Sequence, residues 1–398
     1  MNKPFAQFDG PRLIRREELI DVIRLSRICF GGSQEIESEE EILASYVPPR
    51  RGGTYAFVYE GKPVSQIGIV HDQLKVYDGT IRTGSIGGVC THPDYRGHGL
   101  AGRVLEHCAQ QLVKEGARLM LISGDGGLYS RFGSVLQGKY CYFSLKSGQP
   151  NPWKLAPADL VLRRATPADA LACSQLYQAE PVHFVRQISK FSAALQNPLK
   201  DTYIHAEQWM IERTGHVVAY LFLGIPYGLA ESSGIRHVAE YAGSRVALAD
   251  AIPVLMSTSQ LQDLTWPVAW QDRDLIQLFQ DSGYHSSMTN LDGHTLRILD
   301  FSGFMKDLRP FLLARLEKSL LRGLRFEQKG PVLGGIGDDH YVITRGSDRL
   351  ELDGGAMTLL VMGNADPQAE PIRAPGALAE VISALFPLPS FLPGLNYF

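Results

Sequence analysis

One stretch of this chain, Ser85 to Ala101, constrains its fold more than any other. It opens small and β-branched and ends as a strand at Val89-Cys90-Thr91. Pro93-Asp94 then supplies turn chemistry, because proline fixes φ and aspartate bonds its neighbouring backbone. Arg96, Gly97 and Gly99 follow, and an apolar face with helical spacing begins at once: Leu100, Ala101, Val104, Leu105, Cys108, Leu112. Gly116 reads as the stop of that helix. A glycine-rich turn feeding a helix start offers unpaired N–H groups at the positive end of the dipole, which makes an anion seat.

Two motif readings compete for this seat. Gly97-His98-Gly99-Leu100-Ala101-Gly102 spells the glycine pattern of dinucleotide sites, and Asp125 follows near the spacing of their ribose-binding acid. That fingerprint begins directly after its strand, however, and here His92 to Arg96 intervene. The other pattern, Arg/Gln-x-x-Gly-x-Gly/Ala, is met by Arg96, Gly99 and Ala101. With the Val89-Cys90-Thr91 strand and the Pro93 turn, the stretch resembles the acetyl-CoA loop of the GNAT N-acetyltransferase superfamily.

The likeness continues through a second apolar strand, Arg118 to Ser123, into Gly124-Asp125-Gly126-Gly127-Leu128-Tyr129-Ser130-Arg131-Phe132-Gly133. A tyrosine in the short helix after that strand resembles the one that GNAT enzymes hold beside the coenzyme sulfur. The longer run Gly-Gly-Leu-Tyr-Ser-Arg-Phe-Gly resembles the Eis (enhanced intracellular survival) aminoglycoside and lysine acetyltransferases. This resemblance implies an α/β chain of two tandem GNAT-like mixed-sheet domains plus a C-terminal α+β sterol carrier protein-like domain. It further implies acetyl-CoA as co-substrate without a metal, and a hexamer.

A chain of 398 residues is expected to divide into two or three domains. Its 44% hydrophobic and 20% charged content and net charge of −3 give no basis for nucleic-acid binding. No apolar run is long enough for a membrane span, and Met1-Asn2-Lys3-Pro4 leads into polar sequence without a secretory pattern. Five cysteines, odd in number and without C-x-x-C spacing, suit a reducing cytoplasm.

In chain order, Leu13 to Leu19 reads as a strand entering a helix, and Glu35 to Glu41 carries five glutamates: a solvated face, or an acidic lip for a cationic amine. Tyr55–Tyr59 and Val64–Val70 flank Gly61 as a hairpin. Tyr140 to Leu145 is expected to close a first domain, residues 1–150, and Gly148 to Trp153 reads as a linker.

A partial repeat follows. Leu160-Val161-Leu162-Arg163-Arg164 through Asp169 echoes Arg12 to Glu18; Trp209–Glu212 and Val217–Leu223 echo the hairpin. Tyr241 to Leu248 stands where the anion loop would be, but has no Arg-x-x-Gly-x-Ala. Residues 151–290 are therefore expected to be a degenerate GNAT-like domain without a coenzyme seat. Residues 291–398 then alternate helix and short strands, with a helix over Leu308 to Leu321, strands at Tyr341–Thr344, Leu350–Leu352 and Met357–Met362, and a last helix over Ala377 to Leu385. The final arm, Phe386 to Phe398, is uncharged and carries three prolines, which exclude a helix and predict docking in a groove.

The resemblance assigns roles. The backbone of Arg96, Gly97, His98, Gly99, Leu100, Ala101 and Gly102 would hold the pyrophosphate, and Gly124 and Asp125 would lie near the coenzyme. The strand Val89-Cys90-Thr91 would supply N–H groups to the thioester oxygen where GNAT sheets splay. Tyr129 would protonate the leaving thiolate, and, as in Eis enzymes, the C-terminal carboxylate, here on Phe398, would take the proton of a primary amine of the aminoglycoside, polyamine or lysine kind. A covalent route through Cys90 lacks partner residues, and His92 and His98 read as loop residues. The rival functions are a non-catalytic acyl-CoA sensor and a lipid carrier built on residues 291–398.

Overall fold

The computed structural model describes residues 7–30, 52–148, 157–196, 207–226, 228–330, 339–366 and 368–396. Glu35 to Glu41, most of the linker after Gly148, and Phe398 lie outside the described residues.

Strand β1 (Asp9–Leu13) leads into helix α1 (Leu19–Phe30), and β2 (Gly52–Tyr59) turns into β3 (Lys62–Val76). The β2–β3 turn is Glu60-Gly61, both at positive φ, the two-residue geometry whose twist matches the flanking strands. Then come β4 (Gly79–Thr91), α2 (Leu100–Lys114), β5 (Leu119–Ser123), α3 (Gly127–Arg131) and β6 (Val135–Lys146). Every second strand residue meets a different core. Met120 and Ile122 pack under the apolar face of α2, with Val104, Leu105, Cys108 and Leu112, whereas Leu119 and Leu121 face the opposite side. Burial on both faces is why β5 reads as an unbroken apolar run.

The second segment repeats the plan: β7 (Leu160–Arg164), α4 (Ala170–Ala179), β8 (Val182–Phe184), α5 (Ile188–Gln196), β9 (Glu207–Arg213), β10 (His216–Gly224), β11 (Ile235–Gly243), α6 (Arg245–Thr258), β12 (Asp263–Ala269), α7 (Arg273–Asp281) and β13 (Ser286–Ile298). The echo seen in the sequence has a structural counterpart. Arg12 forks onto Glu18 at 2.7 and 2.9 Å, and Arg163 forks onto Asp169 at 2.7 and 2.9 Å. Each carboxylate also accepts the backbone N–H three residues before it, from Arg15 and Thr166. The second hairpin turn, Thr214-Gly215, again has two positive φ angles.

These forks carry a pH dependence. Hydrogen bonds from Arg12 hold Glu18 down from 4.5 to about 2, and those from Arg163 hold Asp169 from 3.8 to about 2. A depressed carboxylate pKa stabilises the fold above the unfolded value and is lost as pH falls through the folded one. The melting temperature should therefore drop between about pH 4.5 and pH 2. In Glu18→Gln/Asp169→Asn that slope should flatten, and an unchanged slope would remove these two groups from the account.

The strands form one mixed sheet in the order β1-β2-β3-β4-β5-β13-β6-β12-β11-β10-β9-β7, with β8 against β3. The order is symmetrical about its centre, and the central strands are exchanged. β6, expected to close the first segment, instead pairs with β12 and β13, and β13 inserts between β5 and β6. Alternation marks β6 as a strand but does not name its partner, because pairing is a long-range choice.

Beyond β13 come α8 (Phe301–Asp307), α9 (Arg309–Arg315), α10 (Lys318–Leu321), β14 (Leu324–Lys329), β15 (His340–Arg345), β16 (Asp348–Asp353), α11 (Gly354–Met362) and α12 (Gly376–Leu385). Three differences from expectation appear. β13 runs unbroken through residue 291, so the change of character comes after Ile298. The single helix over Leu308 to Leu321 is divided: Pro310 stands in the first turn of α9, and Glu317 is extended before α10. Met357–Met362 is helical, capped by the Asp353 carboxylate accepting from the Ala356 N–H; a short apolar run gives no period to separate buried helix from strand. β14–β16 form a separate antiparallel sheet whose Tyr341 and Ile343, with Phe301, Phe304 and Val361, share one core with Leu119, Leu121, Leu296 and Ile298 of the large sheet. Among the described residues, no helix is long and apolar enough to cross a membrane.

Candidate active site

The first feature of the site is a gap in the sheet. β4 and β5 pair in parallel from Thr83↔Leu119 to Ile86↔Ile122, and there the ladder stops. β4 continues through Gly87 to Thr91, held on its other edge by β3, with a register shift between Gln66↔Cys90 and Gly68↔Gly87. Gly88, at φ 59°, supplies the left-handed residue there. β5 ends at Ser123, so Val89-Cys90-Thr91 runs on past it without a partner strand on that edge among the described residues.

The loop after this strand is braced by its own groups. Arg96 Nε donates to the Thr91 carbonyl at 3.2 Å, and Ser65 and Thr91 hydroxyls meet at 2.8 Å. His92 Nδ1 accepts from the Asp94 N–H, and His98 Nδ1 lies 3.0 Å from the Arg96 carbonyl. Both imidazoles thus brace loop backbone. Gly97 and Gly99 take φ of 80° and 71°, and a Cβ at Gly97 would meet nothing within 4 Å. Glycine is required by conformation, and the space above it is open. Gly99 is the N-cap of α2 and, as a glycine, offers no side-chain oxygen to the first turn, the kind of helix start whose N–H groups can receive an anion. Leu100 itself is core, 1% exposed.

Tyr129 packs against the end of β5. Gly124, one residue past β5, has a backbone whose Cβ would lie 2.7 Å from Tyr129 Cε2 and 3.4 Å from its hydroxyl. The absence of that Cβ lets the phenol cross the end of β5. Burial, then the nearby Asp125 carboxylate, raise the phenol above its ordinary range, so it is a protonated donor at neutral pH. Asp125 is exposed at the rim. Cys90 is 6% exposed and burial pushes its thiol upward, which opposes a thiolate nucleophile.

At the corresponding place in the second half, β11 and β12 pair in parallel only from Ile235↔Asp263 to His237↔Thr265 before diverging. The helix start that follows is filled from within. Ser244 accepts from the Ala247 N–H, and the Glu180 carboxylate accepts from the Gly243 N–H at 2.9 Å while pairing with Arg245 at 2.6 Å. A carboxylate of the chain thus accepts at this helix start.

The C-terminal arm does dock in a groove. The Leu388 N–H donates to the Val361 carbonyl, Ser390 exchanges hydrogen bonds with Gln271, and the Phe391 carbonyl accepts from Gln137 and Tyr140. Farther on, a buried Arg186–Glu240 pair at 2.7 Å latches the arm. Arg186 donates to the Pro393 carbonyl and to Asn396 Oδ1, and Glu240 accepts from the Leu395 N–H. Because Arg186 can only donate, the Asn396 amide is oriented, and its Nδ2 points away from Arg186. Asn396 lines a cavity of about 20 Å³ with Ser85, Ile86, Ser123 and His294, at the base of the β4–β5 gap. That volume holds one water.

Val89, Leu100 and Tyr129 pack on one core cluster, and Leu128, next to Tyr129, lies 3.9 Å from where a Cβ on Gly102 would stand. Sequence reasoning missed Asn396, His294 and the Arg186–Glu240 latch. His294 enters through the exchanged strand, opposite Ser123 in the β13–β5 register, and no local motif marks that placement.

Residues 11–135 match a family model described as an acetyltransferase (GNAT) domain. No curated protein matches by sequence. Among solved structures, a probable N-acyltransferase from Enterococcus faecalis is 16% identical over 87% of this chain and 85% of its own, with a TM-score of 0.62. A GCN5-related N-acetyltransferase from Kribbella flavida is 16% identical over 88% and 85%, with a TM-score of 0.58. Eis1 from Mycobacterium abscessus is 11% identical over 88% and 89%, with a TM-score of 0.59. At these identities the structural likeness speaks for the fold.

Proposed function

We propose, from the match of residues 11–135 to an acetyltransferase (GNAT) domain model, that the protein moves an acetyl group directly from acetyl-CoA to a primary amine. The observation that supports this reading is the end of the β4–β5 ladder at Ile86, with the glycine-started helix α2 following β4 and the protonated Tyr129 following β5. The pyrophosphate would rest on the amides of Arg96 to Gly102, and the acyl group would enter the gap beside Val89 to Thr91. N–H groups at that strand edge would stabilise the oxyanion as the amine attacks. The tetrahedral centre then expels the thiolate, which takes the Tyr129 proton, while the amine's proton passes to the Phe398 carboxylate.

We read the two halves of the sheet as tandem GNAT units, the second degenerate, supported by the repeated Arg–carboxylate forks and by Glu180 in the second helix start. Residues 291–398 would be the sterol carrier protein-like part; its apolar residues pack on the large sheet, which favours a structural role over lipid carriage. A cytoplasmic hexamer is the corresponding reading of compartment and assembly.

Three measurements test the proposal. Calorimetry should find one acetyl-CoA site per chain, lost in Gly99→Glu, whose carboxylate would occupy the phosphate seat; two sites would refute the degenerate reading of the second unit. An amine screen that follows free thiol should show turnover. Coenzyme binding without turnover of any amine would favour the sensor instead, and lipid recovered by extraction and mass spectrometry would favour the carrier.

A further inference from the structure

A second cavity adjoins the small one that Asn396 lines. It has a volume of about 340 Å³, within the range of small-molecule sites, and shares His294 and Pro393 with the small cavity that Asn396 lines. It lies where β11 and β12 diverge, between the exchanged strands and the arm. Its walls are apolar: Pro226, Val238, Pro267, Leu291 and Leu392. The polar groups are Tyr142, Thr265 and two histidines, and among the described residues lining it the single carboxylate is Asp292, which is exposed.

We infer that this cavity seats the acceptor of the proposed transfer, and that the acceptor is a compact monoamine with an apolar or aromatic body and not a polycation. The inference rests on the acetyl-transfer reading for the direction of the amine. The reactive nitrogen would point to the corner shared by His294 and Pro393, toward Asn396 and the gap, and the body would lie over Leu291 and Leu392.

Charge decides between acceptor classes. A polyamine or aminoglycoside would bring several ammonium groups, each needing a carboxylate to offset its lost hydration. Glu240, the nearest buried carboxylate on β11, is already consumed by Arg186, the Tyr220 hydroxyl and the Leu395 N–H. The histidines add no charge of either sign. Burial, with His294 nearby, draws His237 down to about 4, and burial lowers His294 as well, so both are neutral at pH 7. Neutral imidazoles and aliphatic walls suit a ring or short hydrocarbon, and one ammonium suits the one rim carboxylate among the described lining residues.

The test is calorimetry of the full chain with 2-phenylethylamine and with spermidine, in parallel with thiol release from acetyl-CoA. The native protein should bind phenylethylamine the tighter of the two. Ala239 also lines the cavity and is only partly buried. Ala239→Phe fills space there and should weaken phenylethylamine binding by about tenfold or more, the scale of one buried apolar side chain, with acetyl-CoA affinity and melting temperature unchanged. Ala239→Asp, which supplies a second carboxylate, should shift preference toward spermidine. Tighter spermidine binding by the native protein, or phenylethylamine affinity unmoved in Ala239→Phe, would overturn the inference. Failure of the acetyl-transfer reading would look different: phenylethylamine would bind as described and no thiol would appear.

Discussion

Tyr129→Phe is expected to lower turnover by about 10²-fold or more, the usual scale for a lost general acid, and to leave acetyl-CoA affinity nearly unchanged. The phenol lies across Gly124 at the end of β5, where the parallel ladder stops. Its hydroxyl is held protonated by burial and by Asp125. The coenzyme contacts assigned to the loop come from backbone at Arg96 to Gly102 and do not involve the ring, so binding and chemistry should separate. Removing one oxygen keeps the ring that packs with Leu128 and Phe132 in the α2-side core, so the melting temperature should hold. The measurement is kcat and KM for the best amine alongside calorimetric Kd for acetyl-CoA. An unchanged kcat would remove Tyr129 from the acid role. A rise in KM for the coenzyme with kcat preserved would make it a packing group only.

Much of this was legible in the sequence, because the informative elements are local. The strand, turn and helix around Arg96, Gly99 and Ala101 sit within one short stretch whose glycines have conformations that other residues rarely take. The echo of Arg12 to Glu18 in Arg163 to Asp169 was visible because each fork closes within six residues. What could not be read was partner choice. Nothing in Tyr140 to Leu145 says that its neighbours are β12 and β13 and that β5 is not among them. Nothing near His294 says that it lies opposite Ser123. The Arg186–Glu240 pair joins residues far apart in sequence. Removing one member of such a buried pair costs roughly 3–5 kcal/mol, yet neither residue stands out until the strands are assembled. The strand misread at Met357–Met362 is the opposite case, a local pattern too short and too uniformly apolar to carry a period.

Adding residues after Phe398 is expected to abolish turnover while leaving the fold intact, since the proposed base is the terminal α-carboxylate itself. The arm is fixed as far as Asn396 by hydrogen bonds from Gln137, Tyr140 and Gln271 and by the Arg186–Glu240 latch. Asn396 lines the small cavity with Ser85 and Ser123 at the base of the gap. In the proposed reading Phe398, outside the described residues, would carry its carboxylate to the gap from this anchor. A carboxylate brought there by an uncharged arm would lose hydration, which raises its pKa toward the working range and makes it a stronger base. An extension replaces that carboxylate with a neutral peptide bond but preserves every anchor up to Asn396. Turnover should therefore fall by about 10² to 10⁴-fold, the range for general base catalysis, with melting temperature and acetyl-CoA affinity unchanged. Deleting Phe398 moves the carboxylate back by one residue and should give a smaller loss, together with a displaced acidic limb in the pH profile of kcat. Normal turnover in the extended protein would rule the carboxylate out, and the search for a base would pass to Glu35, Glu37 and Glu39 to Glu41, outside the described residues.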